Sequence, residues 1–134
     1  MTVTDLIEQW FQKAKSDLNA AKTLAKLKPP EKDIVCFHCQ QAAEKALKAY
    51  LIFHDVEPER THDLEKLCKD CGQYDDSFFK FLGIGKIMSK YAVQPRYPSY
   101  FLNITETETE QAIEYAQSIY DFCWVKIFPD SSVQ

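Results

Sequence analysis

The sequence is short of residues that interrupt helices, and it lacks the signals that direct a chain to a membrane. It contains three glycines, and its six prolines fall mostly between helix-like segments, which disfavours a β-rich fold with many turns. No run reaches the roughly 18 apolar residues that would span a bilayer. The first residues show neither the basic nor the apolar region of a signal peptide. We therefore expect a cytoplasmic protein with no membrane segment.

An excess of positive charge is also missing. The formal net charge is −4, unlike the strongly basic balance of free-standing DNA-binding domains. Hydrophobic residues make up 46% of the chain and charged residues 27%, which is typical of a globular protein. Its 134 residues suit one domain. We predict a single domain over residues 1–128 and a flexible C-terminal tail over residues 129–134.

Five segments carry helical periodicity, and they lie at about residues 4–27, 31–54, 61–71, 75–91 and 105–128. In the first segment Trp10 opens an apolar stripe. Thr61 is the expected N-cap of the third, and Thr105 with Glu108 forms a capping box at the start of the last. The pattern predicts an all-α fold, an antiparallel up-and-down helical bundle of four long helices and one short helix.

The second helix has two different faces. One is apolar and should face the core; it comprises Cys36, Cys39, Ala43, Leu47 and Tyr50, flanked by Val35, Ala42, Ala46 and Phe53. The opposite face carries Gln41, Glu44 and Lys48, with Lys45 beside them. Glu44 and Lys48 are spaced to form an i,i+4 ion pair worth about 0.2–0.5 kcal/mol. Two interpretations stay open for this polar face: a solvated surface, or the wall of a groove or subunit contact.

The cysteines offer an apparent metal motif. Cys36 and Cys39, and Cys68 and Cys71, resemble two halves of a zinc site, but their separation exceeds the roughly 15–20 residues of common paired motifs. Both pairs also lie within helical patterns. We expect buried free thiols in a reducing compartment, no metal site and no cofactor.

Two further regions carry candidate residues. Arg96 and Tyr97 lie in a proline-stiffened loop rich in aromatic residues. An arginine beside aromatic rings can hold a phosphate while the rings stack on a base, or it can pair with an acidic side chain such as Glu44. His62 stands at the start of the third helix, where it can hydrogen-bond a neighbouring helix, and we expect this segment to have a structural role in capping the helix.

Four stretches of the sequence, taken in order, resemble the HEPN domain (higher eukaryotes and prokaryotes nucleotide-binding) over about residues 8–127. The run from Cys36 to Leu51 resembles its central helix. Ala14, Asp17, Leu18 and Ala21 match an A-x-x-D-L-x-x-A pattern, residues 61–64 match T-H-D-L, and residues 96–98 match R-Y-P.

The resemblance implies a helical bundle that forms a homodimer and associates with nucleotides or RNA. It also implies pairing with a minimal nucleotidyltransferase, often as a toxin–antitoxin system. Carried over by position, the ligand-binding or groove candidates are Gln41, Glu44, Lys45, Lys48, His62, Arg96 and Tyr97.

One feature of the ribonuclease members is absent. Those members carry an arginine followed, after four to six residues, by a histidine, whereas no histidine follows His62 in this chain. The sequence therefore favours a non-catalytic protein that binds a nucleotide or RNA, or pairs with a nucleotidyltransferase. The alternatives are a divergent HEPN ribonuclease and a purely structural dimerisation module.

Overall fold

The fold is seen in a computed structural model, which describes residues 1–92 and 103–131; the regular structure within these ranges is entirely helical. The helices are α1 (Val3–Ala25), α2 (Lys32–Phe53), α3 (Leu64–Gly72), α4 (Leu82–Ser89) and α5 (Glu106–Ile127). This confirms the all-α fold class. None of the helices described here is long and apolar enough to cross a membrane.

The fourth predicted helix differs in detail from the structure. It is divided into a 3₁₀ segment (Asp76–Phe81), α4 and a second 3₁₀ segment (Lys90–Ala92). The α-helices of the described residues are therefore three long and two short ones, while residues 76–92 as a whole take the place of the predicted fourth long helix. The segment accordingly has no continuous α-helical hydrogen-bond ladder, although its start and end agree closely with those predicted from the sequence.

Local capping fixes where the helices begin. The predicted capping box of Thr105 and Glu108 is present at the start of α5, and Thr2 and Asp5 form a second one before α1. The predicted N-cap of α3 was wrong by two residues. Asp63 caps this helix, and its side chain accepts from the Lys66 backbone N–H over 3.1 Å. The Thr61 hydroxyl accepts from the Asp63 N–H instead.

Helix α2 is the centre of the molecule. It packs against α1, α3 and α5, so its residues are buried around most of its circumference. The predicted apolar face is buried as expected, except that Phe53, near the C-terminal end, is 44% exposed. Because neighbours cover more than one side of α2, its polar residues are also drawn into the interior.

The apolar stripe of α1 is rotated from the one that the sequence predicts at its N-terminal end. Ile7 and Phe11 are buried, and the Phe11 ring lies nearly perpendicular to the rings of Tyr120 and Trp124, at centroid distances of 5.3 and 5.2 Å. Trp10, which the sequence places in the core stripe, is only partly buried. Its side chain therefore remains available to a surface cleft.

Candidate ligand-binding site

Glu44 accepts hydrogen bonds from three side chains. Lys48 Nζ donates to its Oε2 over 3.1 Å, and Gln40 Nε2 donates to its Oε1 over 3.2 Å. His62 Nδ1 lies 2.6 Å from the same Oε1. Because an ionised carboxylate only accepts, Nδ1 of His62 carries the proton in this contact. With Gln41, which donates to Gln40 over 2.7 Å, these residues form what we call the Glu44 cluster.

The ion pair of Glu44 and Lys48 lies inside the protein, which corrects one of the two interpretations of the polar face. Glu44 is 5% exposed and Lys48 7% exposed, whereas Gln41 is half-buried. A solvated surface is therefore wrong for this face within the monomer. Sequence periodicity did not reveal that the segment leading into α3 folds back over α2 and brings His62 onto Glu44.

The burial of this ion pair makes its hydrogen bonds important. Removing a charge from water costs several kcal/mol, and the loss is recovered only if the partner geometry is good and the remaining lone pairs are satisfied. Here Gln40 also donates to the His62 backbone carbonyl over 3.0 Å, which ties α2 to the segment before α3. The His62 side chain is 65% exposed and covers Glu44 from the solvent side. Its predicted hydrogen bond to a neighbouring helix is confirmed.

Lys45 belongs to a second polar cluster, between α1 and α2. Its ammonium group contacts Asp17 Oδ2, and His38 Nδ1 lies 2.8 Å from Asp17 Oδ1. Asp17 is buried at the helix interface, so it holds both partners in place. The structure therefore separates Lys45 from the Glu44 cluster. Its contact with Asp17 is a structural link between α1 and α2.

Lys48 also lines an open cleft, which we call the α1 cleft. The cleft has a volume of about 570 Å³, within the range typical of ligand-binding pockets. It is lined by Val3, Leu6, Trp10, Lys48, Ile52, Asp55, Val56, Glu57, Pro58, Glu59 and Arg60. The first three lie on α1 at helical spacing, and the last six form the loop that follows α2. The cleft therefore combines apolar walls, one indole and two cations.

The structure brings together only some of the predicted site residues. Gln41, Glu44, Lys48 and His62 form one cluster, whereas Lys45 belongs to the other. Arg96 and Tyr97 lie outside the described residues, so both alternatives for them, a phosphate and base site or a pairing of Arg96 with an acidic side chain such as Glu44, stay predictions.

Sequence reasoning missed Trp10 and Arg60 as residues of the cleft. Val3, Leu6 and Trp10 form a second apolar stripe on α1, and this spacing could have identified Trp10 as a residue of the cleft. No local pattern marks Arg60.

The cysteines are free and buried, as expected. Burial raises the pKa of the Cys36 thiol to about 11 and that of Cys68 to about 12, so both are protonated at neutral pH. A cysteine binds a metal ion as the thiolate and not as the protonated thiol. Among the residues that the structure describes, no group of three or more histidine, cysteine, aspartate or glutamate side chains is placed to hold a metal ion.

The fold and these clusters define a helical-bundle protein with a buried, hydrogen-bonded ion pair beside an open cleft. The HEPN domain family matches residues 7–127, nearly the whole chain, and the protein belongs to this family.

Comparison with solved structures agrees with the fold. The protein TT1696 from Thermus thermophilus shares 27% identity and superposes with a TM-score of 0.77. The archaeal HEPN homologue ST0689 shares 24% identity with a TM-score of 0.70, which is evidence for the fold alone. Both alignments cover 90% of this chain and 97% of the other. A search among proteins with curated functions finds no match.

Proposed function

We propose that this HEPN-domain protein is a non-catalytic binding protein that receives a nucleotide, or a nucleotide of RNA, in the α1 cleft. The observation that carries the proposal is the position of Lys48. Its ammonium group is hydrogen-bonded to Glu44, and the residue is one of those that line the cleft. An ammonium group has three donors, and the carboxylate of Glu44 uses one of them. The others can meet a phosphate oxygen without a rearrangement of the buried pair.

Two more residues complete the proposed site. Trp10 offers an aromatic face on which a base can stack, a contact worth about 1–3 kcal/mol per base in single-strand binding. Arg60 lines the cleft and makes no ion pair within the described residues, so its guanidinium group is available to a phosphate. Arg96 and Tyr97 remain further candidates for the same ligand, on the strength of the sequence.

Calorimetric titration with AMP, ATP, GTP and a short single-stranded RNA tests the proposal. We expect binding of at least one of them, and a loss of affinity of about tenfold or more in Arg60→Gln, because a hydrogen bond to a charged group contributes about 1.5–3 kcal/mol. Arg60 is exposed, so this change leaves the core intact. Lys86→Gln, an exposed cation on α4 outside the cleft, is the matched control.

Two outcomes bear against the proposal. If no nucleotide or RNA binds, the cleft is not a nucleotide site. If binding occurs but Arg60→Gln and Lys86→Gln behave alike, the ligand lies elsewhere on the molecule. Incubation of the same RNA with pure protein addresses the rival function, a divergent ribonuclease, for which we expect no cleavage.

We also propose that the protein forms a homodimer and pairs with a minimal nucleotidyltransferase, in a toxin–antitoxin system. Support comes from membership of the HEPN family and from the resemblance to it described above. The mass of the protein in solution tests the dimer. A neighbouring nucleotidyltransferase gene, followed by co-purification of the two products, tests the pair.

A further inference from the structure

We propose that the α1 cleft selects ligands that carry a single phosphate and rejects nucleoside triphosphates. The ligand is either a free nucleoside monophosphate or the phosphorylated end of an RNA strand. This inference rests on the proposed function, because it names the chemical class of nucleotide that the same cleft accepts. It is drawn from the charges that surround the cleft and not from its size.

The rim of the cleft is more acidic than basic. Asp55, Glu57 and Glu59 line it together with only two cations, Lys48 and Arg60. Lys48 is already paired with the buried carboxylate of Glu44, over 3.1 Å. Among these lining residues, the positive charge that can attract an anion therefore comes from Arg60 and, in part, from Lys48, which has donors not used by Glu44.

The carboxylates differ in how far they are neutralised. Glu59 contacts Lys66 over 3.3 Å, which offsets its charge. Asp55 and Glu57 make no ion pair within the described residues, and both are exposed. Each is therefore a negative charge that a phosphate chain in the cleft would approach.

The backbone holds Asp55 at this rim in an unfavourable conformation. Its φ is 61°, in the left-handed region, at the position after the α2 C-cap where glycine is usual. The Val56 N–H donates to the Leu51 carbonyl over 3.0 Å and the Asp55 N–H to the Ile52 carbonyl over 2.9 Å, which is the Schellman pattern. A carboxylate is thus kept in a position that glycine would occupy with less strain.

The charges of the lining residues, and not the volume of the cleft, distinguish a monophosphate from a triphosphate. A cleft of about 570 Å³ accommodates drug-sized molecules, so space alone does not separate a monophosphate from a triphosphate. One phosphate can be matched by Lys48 and Arg60. Additional phosphates would find no further cation among the lining residues and would face Asp55 and Glu57. Like charges a few ångströms apart repel even at the dielectric constant of water.

Calorimetric titration with AMP, ADP and ATP, each in EDTA and again with Mg²⁺, measures this selectivity. We expect AMP to bind most tightly in both conditions. In the double variant Asp55→Asn and Glu57→Gln, the affinity for ATP should rise by about fivefold to tenfold, while the affinity for AMP changes little. The matched control is Glu110→Gln with Glu114→Gln, two exposed carboxylates on α5. Asparagine tolerates the left-handed region, so folding is preserved.

The arms of the experiment separate the possible results. Tighter binding of ATP than of AMP, with or without Mg²⁺, overturns the selectivity and leaves the nucleotide site intact. Equal effects of the two double variants also overturn it. Absence of binding by every nucleotide removes the proposed function together with this inference. Titration with a short RNA, with and without a 5′-phosphate, distinguishes a free monophosphate from an RNA end as the ligand. If a strand end is the ligand, only the phosphorylated RNA should bind with an affinity like that of AMP.

Discussion

At the residue scale, the buried carboxylate of Glu44 is the centre of the Glu44 cluster. It accepts from Lys48, Gln40 and His62 while almost fully buried. We expect Glu44→Ala to lower the free energy of unfolding by about 3–5 kcal/mol, because the Lys48 ammonium would be left buried without a counter-charge. Urea unfolding measures this change.

Two further variants show whether the loss of stability in Glu44→Ala comes from the unpaired charge of Lys48. Glu114→Ala, at an exposed position of α5, should change the stability by less than about 0.5 kcal/mol. Combining Glu44→Ala with Lys48→Met should recover part of the loss, because the double variant no longer buries an unpaired charge. A loss of under about 1 kcal/mol in Glu44→Ala would mean that the pair behaves as an exposed surface ion pair.

Asp55 carries a prediction of the opposite sign. Asp55→Gly should raise the free energy of unfolding by about 1 kcal/mol, since glycine adopts a φ of 61° without the steric cost that a side chain imposes. Asp55→Ala is the control, because alanine removes the carboxylate and keeps the strain. Equal stabilisation by the two variants would show that removing the charge, and not relieving the backbone, is responsible.

At the scale of secondary-structure elements, two glycines of α4 provide a matched pair. A Cβ atom added at Gly83 would meet nothing within 4 Å, whereas one added at Gly85 would lie 3.0 Å from the backbone of Leu64 and Glu65 in α3. Gly83→Ala should therefore stabilise the protein by about 0.5–1 kcal/mol through helix propensity.

Gly85→Ala should instead destabilise the protein by about 1–3 kcal/mol, because α3 and α4 would have to move apart. Thermal unfolding of the two variants beside the parent gives the comparison. If both substitutions stabilise, then the contact between α3 and α4 can adjust without cost, and Gly85 is not needed for their close approach.

The helices could be predicted because capping residues and apolar spacing are properties of short stretches of sequence. Thr105 and Glu108 define the start of α5, and the apolar spacing of Ala112 to Ile127 defines its buried face. The burial of Glu44 could not be predicted in this way. It depends on His62, which is distant in sequence and is brought to α2 by the fold.

For the same reason, only some of the residues of the candidate site could be predicted from the sequence. His62 and Lys48 were identified through their resemblance to family positions, and the structure places them on one carboxylate. Trp10 was assigned to the core because its spacing fits the buried stripe of α1 as well as the surface stripe that contains Val3 and Leu6. Which stripe is buried is decided by α5, whose Tyr120 and Trp124 pack on Phe11, and periodicity in α1 alone contains no information about that contact.

At the scale of the whole molecule, the buried thiols couple stability to alkaline pH. Cys36 and Cys68 have pKa values raised by burial to about 11 and about 12, above the ordinary value of 9.0. Above about pH 9 the unfolded chain releases these protons while the folded chain retains them, so the free energy of unfolding should fall between about pH 9 and 11. Below the unfolded pKa this contribution is fully present.

Urea unfolding under reducing conditions from about pH 7 to 10.5 measures the effect. The curve should be nearly flat up to about pH 8 and should then decline. Cys68→Ala offers a comparison, because removing one buried thiol should make the decline shallower. A stability that is unchanged through about pH 10 would contradict the burial of these thiols in solution.

The α1 cleft is where we propose that a nucleotide binds. The chain has two tryptophans, Trp10 in the cleft and Trp124 packed against Phe11 and Phe128, so each indole N–H gives its own signal in a ¹H–¹⁵N correlation spectrum. We predict that AMP shifts the Trp10 indole signal in a saturable manner and leaves that of Trp124 in place. A Trp10 signal that stays fixed at saturating AMP would contradict the claim.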